Sequence, residues 1–366
     1  MNGEKNNIPA FHLYALVMAG GAGTRFWPES TSKRPKQYLN LVSEKSLLQE
    51  TLLRFDGVVD RDRRFIVTVK EQEAWARNCA GKEIGKEGII FEPAGRNTAP
   101  CIFLSLIKLL KMGASARDVV AIVPADHVIL NKRGFAEVVR DATIVAAAQR
   151  KIVTIGIPPN FPHTGYGYIQ KGEAIEGGGV LVKSFKEKPD YATAKEYLAS
   201  GDYFWNAGMF VASIEVLLSE FKKNAPYIYK FYEELFAILD DFIKLTSVYG
   251  QIISESIDYA IMEKSSEVVA IPARFDWNDL GSWDALEAVV ASQEGNIIVK
   301  DAGHFLANAS GNIIFAPEQF VSLINVEDLI VVSNDEALLV LPKKDSQRVK
   351  EVVSFLKSKK EFTHLL

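Results

Sequence analysis

Gly20, Gly21 and Gly23, followed at once by Thr24 and Arg25 and later by Lys36, are residue types that grip a polyphosphate. Glycines placed directly after a strand let backbone N–H groups converge on an anion. Arginine and lysine add fixed positive charge in the same place. Spacing excludes two commoner phosphate loops. The dinucleotide fingerprint needs a glycine three positions after Gly23, where Phe26 stands, and no Gly-Lys-Ser/Thr string of the Walker type occurs. The bland alternative for the glycines is a tight strand-to-helix turn.

Two carboxylates complete such a site. Asp126 follows an apolar run and Pro-Ala, and Asp279 lies in WNDLGSW. A magnesium ion on a nucleotide takes one or two carboxylates together with phosphate oxygens and water. Each aspartate alone could equally bond the backbone of its own turn; taken with the glycine loop, the metal reading is the stronger. Glu187 and Lys188 in FKEKP could hold a sugar hydroxyl and a phosphate, or form a solvated strand end. Asn206, an amide within YFWNAGMF, needs partners if buried, and either a ligand hydroxyl or a backbone loop would serve. His127 reads as a structural histidine, because no serine or cysteine nucleophile motif lies beside it. Cys79 and Cys101 are the only cysteines, and neither belongs to a metal-spaced pair.

The elements that must position these residues alternate. Apolar runs without polar alternation, at residues 14–18, 65–69, 89–92, 119–123 and 152–157, read as strands buried on both faces. Helical patterns lie between them at 46–55, 97–111 and 135–150. This order predicts a doubly wound, mostly parallel sheet, in which ligands sit outside the carboxyl ends of the strands. The glycine loop, the segment 93–97 and Asp126 all fall at such ends, so one shared pocket is expected. From about residue 160 the texture changes to aromatic strands and turns, with helix over 214–239, a strand at 268–272 and a helix from 284. This reads as an inserted sugar or acceptor subdomain. Residues 295–366 show short apolar strands and a final helix over 345–357, which predicts a small β-solenoid with a packing or oligomer role.

Composition sets the limits. The 366 residues are 48% hydrophobic and 24% charged, enough for a large core. The balance of 42 basic and 46 acidic residues provides no field for nucleic acid or an acidic membrane. The polar start MNGEKNNIPA lacks a signal-peptide core, no apolar run reaches spanning length, and cysteines are few. A cytoplasmic protein is therefore expected.

The motifs GGAGTRFWPESTSKRPKQYLNL, FEPAGRNTAP, VPADHVI, TGYGYIQ, VKSFKEKPD, YFWNAGMFV, SIDYAIMEKS and FDWNDLGSW, in that order, carry a resemblance. The first resembles the signature of sugar-nucleotide pyrophosphorylases, and the full set is similar to the mannose-1-phosphate guanylyltransferase family. The likeness runs from about residue 13 to 290 and weakly to 345. It implies an α/β fold with a Rossmann-like, doubly wound mixed sheet of the nucleotidyltransferase, GT-A-like kind, followed by a small C-terminal β-solenoid-like domain. The expected division is 10–292 for catalysis and 293–366 for the β-rich domain with its terminal helix, the latter a candidate homodimer contact. The substrates implied are GTP and mannose 1-phosphate, with Mg2+. Gly20, Gly21, Ala22, Gly23 and Thr24 would wrap the GTP phosphates, and Arg25 and Lys36 would be catalytic. Glu92, Gly95, Asn97 and Thr98 would sit near guanine, the carboxylate accepting from N1 and N2. Gly167, Glu187 and Asn206 would contact mannose, Lys188 its phosphate, and Asp126 and Asp279 the metal. Arg34 stands where a shorter residue is common, without consequence for the chemistry. A cupin-like isomerase domain found in longer relatives is expected to be absent. The alternatives are a related transferase with another base or sugar, and a catalytically silent sugar-nucleotide-binding subunit.

Overall fold

The computed structural model of the chain describes residues 11–21 and 23–366; Ala22 and residue 10 of the expected catalytic division lie outside the described residues. The predicted strands appear with small changes of boundary: Leu13–Met18 (β1), Arg64–Val69 (β2), Ile89–Glu92 (β3), Val119–Pro124 (β4) and Ile152–Ile157 (β5). They are joined by Tyr168–Ala174 (β6), Val180–Lys186 (β7), Tyr203–Ser213 (β8) and Val268–Pro272 (β9). All nine form one sheet in the order β3-β2-β1-β4-β8-β5-β9-β7-β6.

β1 to β4 are mutually parallel, and β5 runs parallel to β9. β8 is antiparallel to both β4 and β5, which places the carboxyl ends of these two on the same sheet edge. The sheet is mixed, and the residues after 160 are not a subdomain set apart. Their strands extend the first sheet, and β8 is inserted into its middle. The change of texture marks antiparallel strands, of which β8 is largely buried while β6 and β7 run out to exposed stretches, and not a new core. The chain leaves β1 toward β2 on one side and has β4 on the other. The crevice outside their carboxyl ends is the topological switch point where open α/β sheets bind ligands.

Helices cover both faces. Thr98–Lys111 starts at Asn97, whose Oδ1 accepts from Thr98 N at 2.8 Å, with Pro100 in a turn that needs no N–H donor. Lys132–Gln149 begins three residues earlier than its apolar periodicity, because Asn131 caps Gly134 N at 2.9 Å and solvent-facing Lys132 and Arg133 carry no periodic signal. The helix expected over 214–239 is three pieces, Ile214–Asn224, Pro226–Tyr229 and Tyr232–Ile238. Pro226 cannot donate a helical hydrogen bond and ends the first of them. In place of the helix expected from 284 there is a 3-10 turn, Trp283–Ala288.

The C-terminal residues coil as predicted. Ile297–Asp301 (β10), Ile313–Ala316 (β12) and Leu329–Ser333 (β14) stack in parallel, with Ile297, Ile313 and Ile330 in register. His304–Ala307 (β11), absent from the sequence expectation, pairs with Val321–Ile324 (β13), and Leu338–Pro342 (β15) closes the stack antiparallel to β14. Buried Asn312 donates to Asn296 Oδ1 at 2.9 Å and accepts from Leu329 N at 2.9 Å, so one amide ladder runs through the coils. Helix Val349–Lys357 follows. The apolar side of this stack, with Phe315, Ile330, Val353 and Leu356, packs against Phe26, Trp27, Leu39 and Trp283. Trp27 Nε1 donates to Leu365 O at 3.0 Å, and Trp283 Nε1 to Trp27 O at 3.1 Å. The C-terminal domain is thus a buttress for the segment between Arg25 and Lys36.

Candidate active site

The glycine loop leaves β1 at Ala19. Ala19 N donates to Val67 O at 2.8 Å, and its carbonyl accepts from Gln37 Nε2 at 2.8 Å and Thr68 Oγ1 at 3.2 Å. Tyr38 and Gln37 both reach Gln72 Oε1, at 3.0 and 3.3 Å. This buried polar group fixes the loop's base. A fully satisfied network of this kind specifies one geometry. Beyond it, Gly23 has φ 60° and opens the 3-10 turn Thr24–Phe26. A Cβ at Gly23 would lie 2.2 Å from Lys36 Cβ, so glycine is needed both for the backbone angle and for the approach of Lys36.

Lys36, only 4% exposed, sits at the start of a second 3-10 turn, Lys36–Tyr38. Its Nζ lies 2.9 Å from Asp126 Oδ2 and donates to Asp279 O at 2.7 Å, above the Phe26 ring. One ammonium therefore holds together the β1 loop, the β4 turn and the WNDLGSW segment. Burial pushes the Asp126 carboxyl up, but Lys36 and its hydrogen bonds outweigh this, and the carboxyl lies below its ordinary value. Arg25 is exposed, with Nη1 3.3 Å from Gly281 O. Gly23, Thr24, Arg25, Lys36, Asp126 and Asp279 line one cavity of about 290 Å³.

A second cavity, about 220 Å³, adjoins it and shares His127 and Asp279 as walls. His127 Nδ1 accepts from Trp277 Nε1 at 3.1 Å, and burial pushes its pKa down, so it is a neutral wall group. Gly167, Glu187 and Asn206 line this second cavity. A Cβ on Gly167 would stand 2.5 Å from Glu187 Oε2, so the glycine makes room for the carboxylate. Asn206 Oδ1 accepts from Gly208 N at 3.0 Å and its Nδ2 donates to Asp258 Oδ1 at 2.9 Å, which fixes the amide's orientation. Lys188 is exposed, lines neither cavity and is paired with the Glu187 carboxylate.

Asp258, within SIDYAIMEKS, carries no local sequence signal of a role. It opens a π-helical turn, Asp258–Met262, a feature common at functional sites. Burial, and then the facing Glu187 carboxylate, push its carboxyl up from 3.8 to about 6. An acid with a higher pKa in the folded chain takes up a proton on folding, so stability falls as pH rises from about 4 to about 6. Asp258→Asn keeps an acceptor for Asn206 and removes this charge. The variant is expected to gain on the parent across that window, by roughly 2–3 kcal/mol at neutral pH. Urea unfolding at several pH values reads the difference, and a gap that does not grow between pH 4 and 7 would contradict the assignment.

The base-side residues are less well gathered. Glu92 is 2% exposed beneath the loop, where a Gly20 Cβ would lie 3.6 Å from its Oε1. Its Oε2 accepts from Tyr249 OH at 2.6 Å, and burial pushes its pKa up. This geometry does not present the carboxylate to a base. Gly95 and Asn97 are exposed, and Thr98 lines the second cavity, its Oγ1 accepting from Ile257 N at 2.8 Å. Larger hollows, of about 330 and 500 Å³, lie beside β3 and at Tyr14 and hold none of these residues.

A glycine loop at the switch point of a mixed sheet, with two carboxylates and a lysine in one cavity and a carboxylate and an amide on the walls of the next, is the arrangement of a nucleotidyl transferase. The family profile described as nucleotidyl transferase matches residues 14–295, and one described as MannoseP isomerase/GMP-like beta-helix domain matches residues 304–356. The chain is 38% identical over 359 residues to mannose-1-phosphate guanylyltransferase 2 of Escherichia coli O157:H7, covering 94% of this chain and 73% of that protein. It is 38% identical over 353 residues to mannose-1-phosphate guanylyltransferase of Klebsiella pneumoniae, covering 94% and 74%. The chain belongs to the mannose-1-phosphate guanylyltransferase family. Among solved structures, one named mannose-1-phosphate geranyltransferase from Thermus thermophilus matches with a TM-score of 0.87 at 34% identity, over 95% of this chain and 100% of that one.

Proposed function

We propose that this chain transfers GMP from GTP to α-D-mannose 1-phosphate, giving GDP-mannose and diphosphate, with Mg2+ as its cation. The observation that carries the reading is the junction of the two cavities at Asp279 and His127. One is built of glycine, arginine and lysine for phosphates. The other is built of a carboxylate, an amide and a glycine for sugar hydroxyls. Family membership supports the choice of base and sugar.

A sugar phosphate is already ionised near neutral pH, so the reaction needs no general base. Its phosphate oxygen attacks the α-phosphorus in line, and the bond from that phosphorus to the bridging oxygen breaks, diphosphate leaving with the electron pair. What the protein supplies is alignment and neutralisation. In this proposal Gly20 to Thr24 wrap the triphosphate, Lys36 faces the α-phosphate and Arg25 the departing diphosphate. Gly95, Asn97 and Thr98 belong to the nucleotide side, with Glu92 supporting the loop from below. Gly167, Glu187 and Asn206 orient mannose, and Lys188 meets its phosphate.

The donor set fits magnesium. Two carboxylates face one cavity, as many as a magnesium ion takes when phosphate oxygens and water complete its shell. Asp126 and Asp279 would hold the ion, which when bound neutralises phosphate charge and favours departure of diphosphate. No helix among the described residues is long and apolar enough to cross a membrane; a cytoplasmic location is part of the proposal.

Diphosphate release from GTP, ATP, UTP and dTTP, each with mannose 1-phosphate, tests the reading. GTP is expected to be strongly preferred. Preference for ATP or dTTP would move the assignment to a related transferase, and release from none would favour a silent binding subunit.

A further inference from the structure

We infer that Tyr166 is a positioning residue for the Asp279 carboxylate, holding it in one orientation toward the cation; this rests on the proposed role of Asp279 as a metal ligand. Tyr166 OH donates to Asp279 Oδ1 at 2.7 Å, across a sequence separation of 113. With one oxygen so occupied, Oδ2 is left for a ligand, and Asp279 lines the cavity that it shares with Asp126 and Lys36.

The ring behind that hydroxyl is held on several sides. His163 stacks on it, with centroids 3.8 Å apart and planes 27° apart. Trp205 and Trp277 meet it edge-on at 5.2 and 5.1 Å. His163 is itself fixed: its N–H donates to Tyr168 OH at 3.0 Å, and its Nδ1 accepts from Gly165 N at 3.1 Å. A Cβ on Gly165 would lie 2.8 Å from His163 Cε1, so the loop is closely folded around the imidazole. Offset and edge-on aromatic contacts of this kind lock a ring without bonding its polar end. The hydroxyl is therefore free to serve Asp279 alone. Tyr166 also lines the sugar-side cavity, so the group that aims the metal-facing carboxylate forms part of the acceptor's wall. Partners of metal ligands act in this way by setting ligand orientation, and their loss costs roughly 10–100-fold in metal affinity.

The test uses Mn2+ as the probe, with its binding to the intact chain followed by electron paramagnetic resonance without nucleotide. Tyr166→Phe keeps the ring and its three aromatic neighbours and removes only the hydroxyl. It is expected to weaken Mn2+ binding at least about tenfold, with an unchanged melting temperature. His163→Ala keeps the hydroxyl but frees one face of the ring, and a smaller weakening is expected. Asp279→Asn separates the two readings. If Asp279→Asn binds Mn2+ as the parent does, the metal assignment falls and this inference with it. If Asp279→Asn loses binding while Tyr166→Phe keeps it, the metal assignment stands and the positioning role is overturned.

Discussion

Lys36→Ala is expected to lower turnover by about a thousandfold or more in a diphosphate-release assay with GTP and mannose 1-phosphate. Loss of one preorganised donor to a developing charge typically costs about 10²–10³ in kcat. Lys36 does more than donate. Its Nζ reaches both the Asp126 carboxylate and the Asp279 carbonyl, so it also sets the relative placement of two loops. Its loss leaves Asp126 without its ion-pair partner and leaves phosphate charge unmatched in the same cavity. Arginine is not expected to rescue, because a planar fork does not match the compact ammonium that bonds Asp126 Oδ2 and Asp279 O together. Circular dichroism should show the parent's secondary structure. Turnover within tenfold of the parent in the alanine variant would contradict the proposed role.

Gly23→Ala is expected to cost at least about a hundredfold in kcat/KM, through a different cause. A side chain at φ 60° costs about 1–2 kcal/mol. The larger effect is steric: the new Cβ would stand 2.2 Å from Lys36 Cβ, a separation that forces the loop or the lysine to move. Displacement of the proposed catalytic ammonium by about 1 Å is enough to lose about 10²-fold. Gly21 offers the contrast, since nothing lies within 4 Å of a Cβ placed there and its φ is not in the left-handed region. The Gly21→Ala melting temperature should match the parent, whereas that of Gly23→Ala should fall by several degrees. Equal melting temperatures and equal kcat/KM for Gly23→Ala and the parent would remove the glycine from the argument.

Both predictions depend on a contact between residues that the chain brings together only by folding, and this shows what could be read in advance. The strands β1, β3, β5 and β9 were legible to within a residue or so. Strands buried on both faces are continuous apolar runs ended by glycine, proline or charge, a purely local signal. The glycine loop, Lys36 and Asp126 were legible as chemistry because residue type and strand-end position together limit what they can do. The same logic suggested Asp279, although its sequence alone allowed a turn residue equally well.

Other features have no local signature. Glu92 ends a strand beside the loop, and the family resemblance implies a place near the base, yet side-chain direction turns it under Gly20 and onto Tyr249. Asp258 lies in an ordinary-looking helical stretch, and only its folded surroundings, with Asn206 bonded to it and the Glu187 carboxylate facing it, make it a half-buried carboxyl with a raised pKa. Tyr166 reads as one aromatic among many until its hydroxyl is found on Asp279. Nor could the sequence show that β8 enters between β4 and β5, or that the terminal coils brace Trp27. By itself the sequence determined the strand-and-helix alternation, the phosphate-gripping loop and the candidate acids and cations. The tertiary structure alone decided which of those groups face one cavity, because register, strand insertion and side-chain direction arise from contacts between residues far apart in the chain.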